Sequence, residues 1–184
     1  MAEIRAGINT RNLAVSGDGR FVLVGNYLPH TLVALDARDL TPIRVLAVKD
    51  DKGVTSRVSA VYDARPRKSF VAALRDIKEV WELTYDEKAP PVYQGLVHDF
   101  RMGEGIPVPG PFPPRRILLE DYLDDFFFNP DYSELVGAAR DGMKGQVVNL
   151  DVRRRIATLD LPGLPHLGSG ISWNYRGRTV LATP

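Results

Sequence analysis

The chain has 184 residues and no cysteine among them. That absence excludes a disulfide framework, thiolate zinc, iron–sulfur ligation and Cys-x-x-Cys-His haem attachment within this stretch. Histidine is scarce as well: any imidazole chemistry must come from His30, His98 or His166. Neither sign of charge is in excess, since Lys plus Arg total 24 against 23 Asp plus Glu. Nothing in that balance draws the molecule onto a polyanion, so a nucleic-acid partner is not expected. Long apolar runs are also missing. No stretch approaches the about 18 apolar residues of a membrane helix, and Met1 to Asn9 lacks the pattern of a secretory leader. Neither a membrane span nor a signal peptide is expected in this chain.

Turn residues, in contrast, are plentiful. The 16 Gly and 14 Pro fall between short runs of Val, Leu, Ile and aromatic residues, the pattern of many short strands joined by tight turns. With 44% apolar residues the chain can bury a substantial core, and an all-β protein is expected. A first unit reads as strands at Asn12–Val15, Phe21–Gly25, Thr31–Asp36 and Ile43–Val48. A second reads Val58–Asp63, Ser69–Leu74, Glu79–Tyr85 and Val92–Val97, and a third Asp125–Phe128, Glu134–Ala138, Gln146–Asp151 and Ile156–Leu161.

The second strands of successive units begin at Phe21, Phe70, Leu135 and Thr179, spacings of 49, 65 and 44 residues. Four-stranded repeats of about 40–50 residues are β-propeller blades. The long spacing accommodates an insertion of roughly 16 residues, assigned to the proline-bearing stretch at about 101–123. The expected organisation is one partial propeller domain over 1–184. Its blades span about 8–49, 54–98 and 124–162, and a fourth starts from 169. About three and a half blades leave unpaired edges, which implies a fragment of a larger protein.

His98 ends the expected fourth strand of the second unit, and His166 follows that of the third. Connections from an outer strand to the next inner strand return to the propeller axis, so both imidazoles would approach one mouth. Two convergent histidines can hold a metal, bind an anion or exchange protons; backbone-bonded loop histidines are the plainer account. His30, in a hairpin between second and third strands, reads as a surface residue. Arg11 and Arg57 stand just before first strands of consecutive units and could face the same mouth, where arginine favours carboxylates bidentately. Together with Arg75, inter-blade ion pairing explains them equally well.

The remaining motifs carry less. Gly168-Ser169-Gly170 is followed by a strand pattern rather than a helix, which removes a dinucleotide-binding reading. Glu120, Asp121, Asp124 and Asp125 lack calcium-loop spacing and read as a solvated turn, and Arg153-Arg154-Arg155 as a hairpin tip. Trp81, Trp173 and Phe126-Phe127-Phe128 are blade-packing residues.

Four segments carry a resemblance: Asn26-Tyr27-Leu28-Pro29-His30-Thr31-Leu32-Val33-Ala34-Leu35-Asp36, Ser56-Arg57-Val58-Ser59-Ala60-Val61-Tyr62, Gly95-Leu96-Val97-His98-Asp99 and Leu164-Pro165-His166-Leu167-Gly168-Ser169-Gly170. They resemble the haem d1 domain of the cytochrome cd1 nitrite reductases and their relatives, over nearly the whole chain. The resemblance implies an eight-bladed propeller of which this is the middle. In the reductases two distal histidines over the haem d1 iron help bind and protonate nitrite, and His98 and His166 match those motif positions. Two departures stand out: Ser169 where the reductase motif has arginine, and the stretch Met102 to Asp125. The segment from Arg115 to Phe128 looks more like the NirN-type branch, which dehydrogenates dihydro-haem d1 to haem d1 at the end of cofactor biosynthesis.

That branch implies a periplasmic oxidoreductase with the tetrapyrrole in the propeller mouth. His166 is then the iron-facing or proton-handling histidine with His98 beside it, and Arg11 and Arg57 are carboxylate partners. The resemblance further implies a c-type haem on a domain outside this chain, exchange of electrons with a c-type cytochrome, and a homodimer for the full-length parent. The proximal iron ligand would also lie outside the chain. Dissimilatory reduction of nitrite to nitric oxide is the alternative activity, and a non-catalytic binding module or haem d1 carrier is the alternative to an enzyme.

Overall fold

The computed structural model describes residues 2–94, 105–138, 144–160 and 171–182. The first sheet runs in chain order: β1 (Asn9–Val15), β2 (Phe21–Leu28), β3 (Thr31–Asp36) and β4 (Pro42–Ala47). The second contains β5 (Val58–Ala64), β6 (Ser69–Leu74) and β7 (Glu79–Thr84). A short pair, β8 (Tyr93–Gln94) and β9 (Ile106–Pro107), then stands apart before β10 (Pro114–Leu118) returns to close the second sheet against β7. The third sheet is β11 (Asp125–Phe128), β12 (Glu134–Ala138), β13 (Lys144–Asn149) and β14 (Arg154–Asp160), and β15 (Ile171–Tyr175) pairs with β16 (Arg178–Ala182). All of these pairings are antiparallel, and β5 lies against β1 and β2 on one side and β11 on the other. This is the all-β, blade-by-blade architecture that the repeat spacing predicts.

The turns between first and second strands show why the repeat forms. In the first sheet Ser16 Oγ bonds Asp18 at 2.6 Å and accepts from the Phe21 amide at 3.0 Å, while Gly19 takes φ 73°. The third sheet closes the same turn with Asn129, whose Oδ1 accepts from the Glu134 amide at 3.0 Å. Small polar side chains here bond their own backbone and fix the hairpin register.

Sheet two is covered on both faces, which is why β6 is buried along its whole length. Alternation sends Phe70, Ala72 and Leu74 towards the first sheet, where they join Leu23, Leu32 and Trp81. Val71 and Ala73 point the other way, into a cluster with Phe126, Leu135 and Val148. The alanines keep the sheets close, as face-to-face packing requires.

One strand assignment differs from the sequence expectation. The outer strand of the second sheet is Pro114–Leu118, drawn from the stretch read as an insertion, whereas the described part of Val92–Val97 pairs with Ile106–Pro107. Charge explains the choice. β7 carries two buried carboxylates, Glu79 and Glu82, which are 4% and 3% exposed. β10 sets Arg115 opposite Glu82 and places Arg116 beside Glu79, in contact through Nε at 2.8 Å. Val92–Val97 offers no cation, and a buried unpaired carboxylate is far costlier than a lost apolar contact.

Candidate site at one end of the sheets

In each antiparallel sheet the turn between second and third strands and the connection leading to the next sheet leave from the same end. Arg11, Tyr27, His30, Arg57, Arg75, Asp76 and Asp124 all belong to that end. Arg11 is the extra residue of a β-bulge: Thr10 pairs with Asn26 and Asn12 with Gly25, leaving Arg11 without a register partner. Bulges re-aim a side chain, and here the Arg11 guanidinium lies 6.0 Å from the centre of the Tyr27 ring. The Arg57 guanidinium lies over the same ring at 5.4 Å. Two cations around one aromatic ring is a concentration of positive charge that the ring quadrupole partly offsets.

The two arginines are held differently. Arg57 is locked to Asp76 by three bonds: its backbone amide at 2.9 Å, Nε at 2.8 Å and Nη2 at 2.5 Å. Asp76 is in turn oriented by its amide donating to Ser56 Oγ at 2.9 Å. Among the described residues Arg11 has no carboxylate partner within ion-pair distance, and its donors remain available. Arg75 pairs with Asp124 at 3.0 Å, and Tyr62 donates to Asp125 at 2.8 Å. These carboxylates are therefore structural partners of the mouth, not a freely solvated turn. Burial, then the bond to Asp125, pushes the Tyr62 hydroxyl well above the usual phenol range.

The Arg57 side chain holds the Asp76 carboxyl below its ordinary 3.8, against an opposing contribution from burial. Because the folded value is depressed, this stabilisation is fully present above pH 3.8 and is lost as pH falls through the folded value. Asp76→Asn is expected to flatten the acid limb of the stability curve below about pH 4, checked by urea midpoints at stepped pH.

His30, expected at the surface, is half-buried in the turn between β2 and β3. Its Nδ1 lies 2.8 Å from Thr55 Oγ1, and its carbonyl accepts from the Val48 amide at 3.0 Å. The turn between β2 and β3 places it at the same end of the sheets as Arg57. Sequence reasoning assigned no role to Tyr27 and did not bring His30 to this end. The available signal was topological: turns between second and third strands share an end with the connections that carry Arg57.

His98 and His166 lie outside the described residues. The connection holding His166 runs from β14 to β15, an outer-to-inner connection as expected. His98 falls instead between β8 and β9, within the excursion from β7 to β10. That excursion leaves beside Thr84, which pairs with Ser69, and returns at Pro114, which pairs with Leu83. Both anchors lie at the opposite end of the sheet from Arg57 and Arg75. The outer strand of the second sheet is therefore Pro114–Leu118 and not Val92–Val97, after which His98 is read.

Known proteins resemble this chain in sequence and in fold. The family profile described as the cytochrome D1 heme domain matches residues 1–97. The dihydro-heme d1 dehydrogenase of Pseudomonas aeruginosa is 52% identical over all 184 residues, which span 33% of that protein. The solved structure of dihydro-heme d1 dehydrogenase NirN in complex with DHE superposes at a TM-score of 0.81 and 52% identity, over 98% of this chain and 34% of that one. The chain thus spans about a third of the length of the relatives it matches. Hydrazine synthase of Kuenenia stuttgartiensis, 13% identical with a TM-score of 0.58 over 90% of this chain and 40% of its own, shares the fold alone.

Proposed function

Because the chain belongs to the cytochrome D1 heme domain family, we propose that it forms part of a periplasmic dihydro-haem d1 dehydrogenase, binding the tetrapyrrole at the end that carries Arg11, Tyr27 and Arg57. The observation that carries this reading is identity of 52% over the full chain to a dihydro-heme d1 dehydrogenase. The site's chemistry suits the substrate. A tetrapyrrole brings several carboxylates to a mouth of this kind, and Arg11 has donors free to receive one bidentately. Arg57, braced by Asp76, adds fixed positive charge beside the Tyr27 ring.

Dehydrogenation converts a propionate side chain to acrylate, breaking two C–H bonds and releasing two electrons and two protons. The tetrapyrrole, as substrate, supplies the conjugated system through which those electrons leave. Their acceptor would be a c-type haem or cytochrome outside this chain, and the parent would be a homodimer. His166 is the residue we assign to face the iron or take a proton, with Arg11 and Arg57 as carboxylate partners.

The test is to titrate the full-length protein with dihydro-haem d1 in the presence of an electron acceptor and follow the visible spectrum. Conversion to the haem d1 spectrum, lost in His166→Ala, is expected. Binding without conversion would overturn the enzymatic reading in favour of a carrier, and nitrite turnover without conversion would favour a reductase.

A further inference from the structure

We infer that Tyr27 is a positioning residue: its ring holds the Arg11 guanidinium in place, so that Arg11 meets a substrate carboxylate already aimed. The inference rests on the reading above, in which Arg11 receives a carboxylate of the tetrapyrrole.

Three observations carry it. The base of the pair is fixed, because the residues immediately before Arg11 and Tyr27 are joined side chain to side chain, Thr10 Oγ1 donating to Asn26 Oδ1 at 2.8 Å. Asn26 is fully buried, and its Nδ2 donates to the Ala6 carbonyl at 2.9 Å and to Thr31 Oγ1 at 3.0 Å. A buried amide satisfied at both ends holds one arrangement, and it does so where the bulge takes Arg11 out of register.

The ring is fixed as well. The Arg57 guanidinium lies 5.4 Å from its centre, and Asp76 holds Arg57 through Nε at 2.8 Å and Nη2 at 2.5 Å. The Arg11 guanidinium, which has no carboxylate partner among the described residues, lies 6.0 Å from the same centre. Asp76 thus fixes Arg57, Arg57 lies on Tyr27, and Tyr27 receives Arg11. A long side chain that docks on a ligand loses rotamer freedom, and one already resting on an aromatic ring loses less. The ring attracts the cation as a charge and leaves its N–H donors for a carboxylate. Tyr27 touches no reacting atom, so its effect falls on binding and not on the chemical step.

The experiment measures binding of dihydro-haem d1 by visible titration, and turnover with an electron acceptor, in the full-length protein. The variants are Tyr27→Leu, Tyr27→Phe, Arg11→Gln and the double variant Arg11→Gln/Tyr27→Leu. Tyr27 is half-buried at the end of β2, so Leu opens no core cavity, and urea midpoints separate loss of fold from loss of binding. Tyr27→Leu is expected to weaken binding and raise KM by about tenfold with kcat within about twofold. Tyr27→Phe keeps the ring and should stay within about twofold of wild type in both. In the Arg11→Gln background the Leu substitution should weaken binding no further, since the cation it served is gone and Arg57 keeps Asp76. Wild-type affinity in Tyr27→Leu, or a loss that adds in full to that of Arg11→Gln, would overturn the inference while leaving the dehydrogenase reading standing. Arg11→Gln that binds like wild type would overturn both the inference and the assignment of Arg11 as a carboxylate partner.

Discussion

Arg116→Ala is expected to lower stability by about 3–5 kcal/mol, because it leaves a buried carboxylate without its cation. Glu79 is 4% exposed and receives Arg116 through Nη2 at 2.5 Å and Nε at 2.8 Å, with the Trp81 indole donating to the same carboxylate at 2.8 Å. The contact raises the Arg116 guanidinium above even its ordinary value, the Glu79 bond being the largest cause. Removing the cation leaves the buried Glu79 carboxylate with the Trp81 indole as its remaining named partner. Exposed pairs in the same molecule, such as Arg38 with Asp36, should matter little when deleted. The measurement is urea unfolding of Arg116→Ala and of the double variant Glu79→Leu/Arg116→Met. The account expects the double variant to recover most of the loss, since an apolar pair of similar volume removes the stranded charge. A double variant as unstable as Arg116→Ala would show that the pair, and not the desolvated charge, sets the energy.

Phe70→Ala is expected to cost about 3–5 kcal/mol for a different reason. Phe70 is fully buried on the face of β6 turned to the first sheet, with ring centres 5.2 Å from Tyr85 and 6.5 Å from Phe112. Phe112 also packs edge-on against Phe21 at 5.1 Å. One side chain therefore ties together the first sheet, the second sheet and the excursion between β7 and β10. Its loss opens a cavity that the neighbouring sheets cannot close without shifting as rigid layers. A melting temperature lower by roughly 6–20 °C is anticipated, and Phe70→Leu should retain most of the stability. A change below about 1 kcal/mol in Phe70→Ala would mean that the sheets re-pack freely.

Local chemistry made much of the architecture legible. Ser16, Asp18 and Asn129 close their turns by short-range hydrogen bonds, so the repeat could be read from turn signals and apolar runs alone. The error at the fourth strand of the second sheet had a non-local cause. Apolarity favours Val92–Val97, but the buried Glu79 and Glu82 on β7 take cations from β10: Arg116 pairs with Glu79, and Arg115 joins Arg67 at Glu82. A pattern method sees two glutamates at solvated spacing, whereas the folded sheet buries them.

At the mouth, the convergence of Arg11 and Arg57 was readable because both were placed just before first strands of consecutive units, although Arg11 lies within β1. Which of them is free was not. Asp76 arrives from a turn nearly 20 residues away and occupies Arg57, while a bulge at Arg11 turns it towards Tyr27. His30 looked superficial because hairpin turns usually are, yet its hairpin shares an end with the inter-sheet connections, and its ring contacts Thr55 from the connection into β5.

The most direct measurement is the structure of the full-length protein with dihydro-haem d1 bound. The account predicts the macrocycle at the end that carries Tyr27, His30 and Arg57, with a carboxylate within hydrogen-bond distance of Arg11. A macrocycle seated at the other end, beside Phe21, Tyr85 and Phe112, would contradict it.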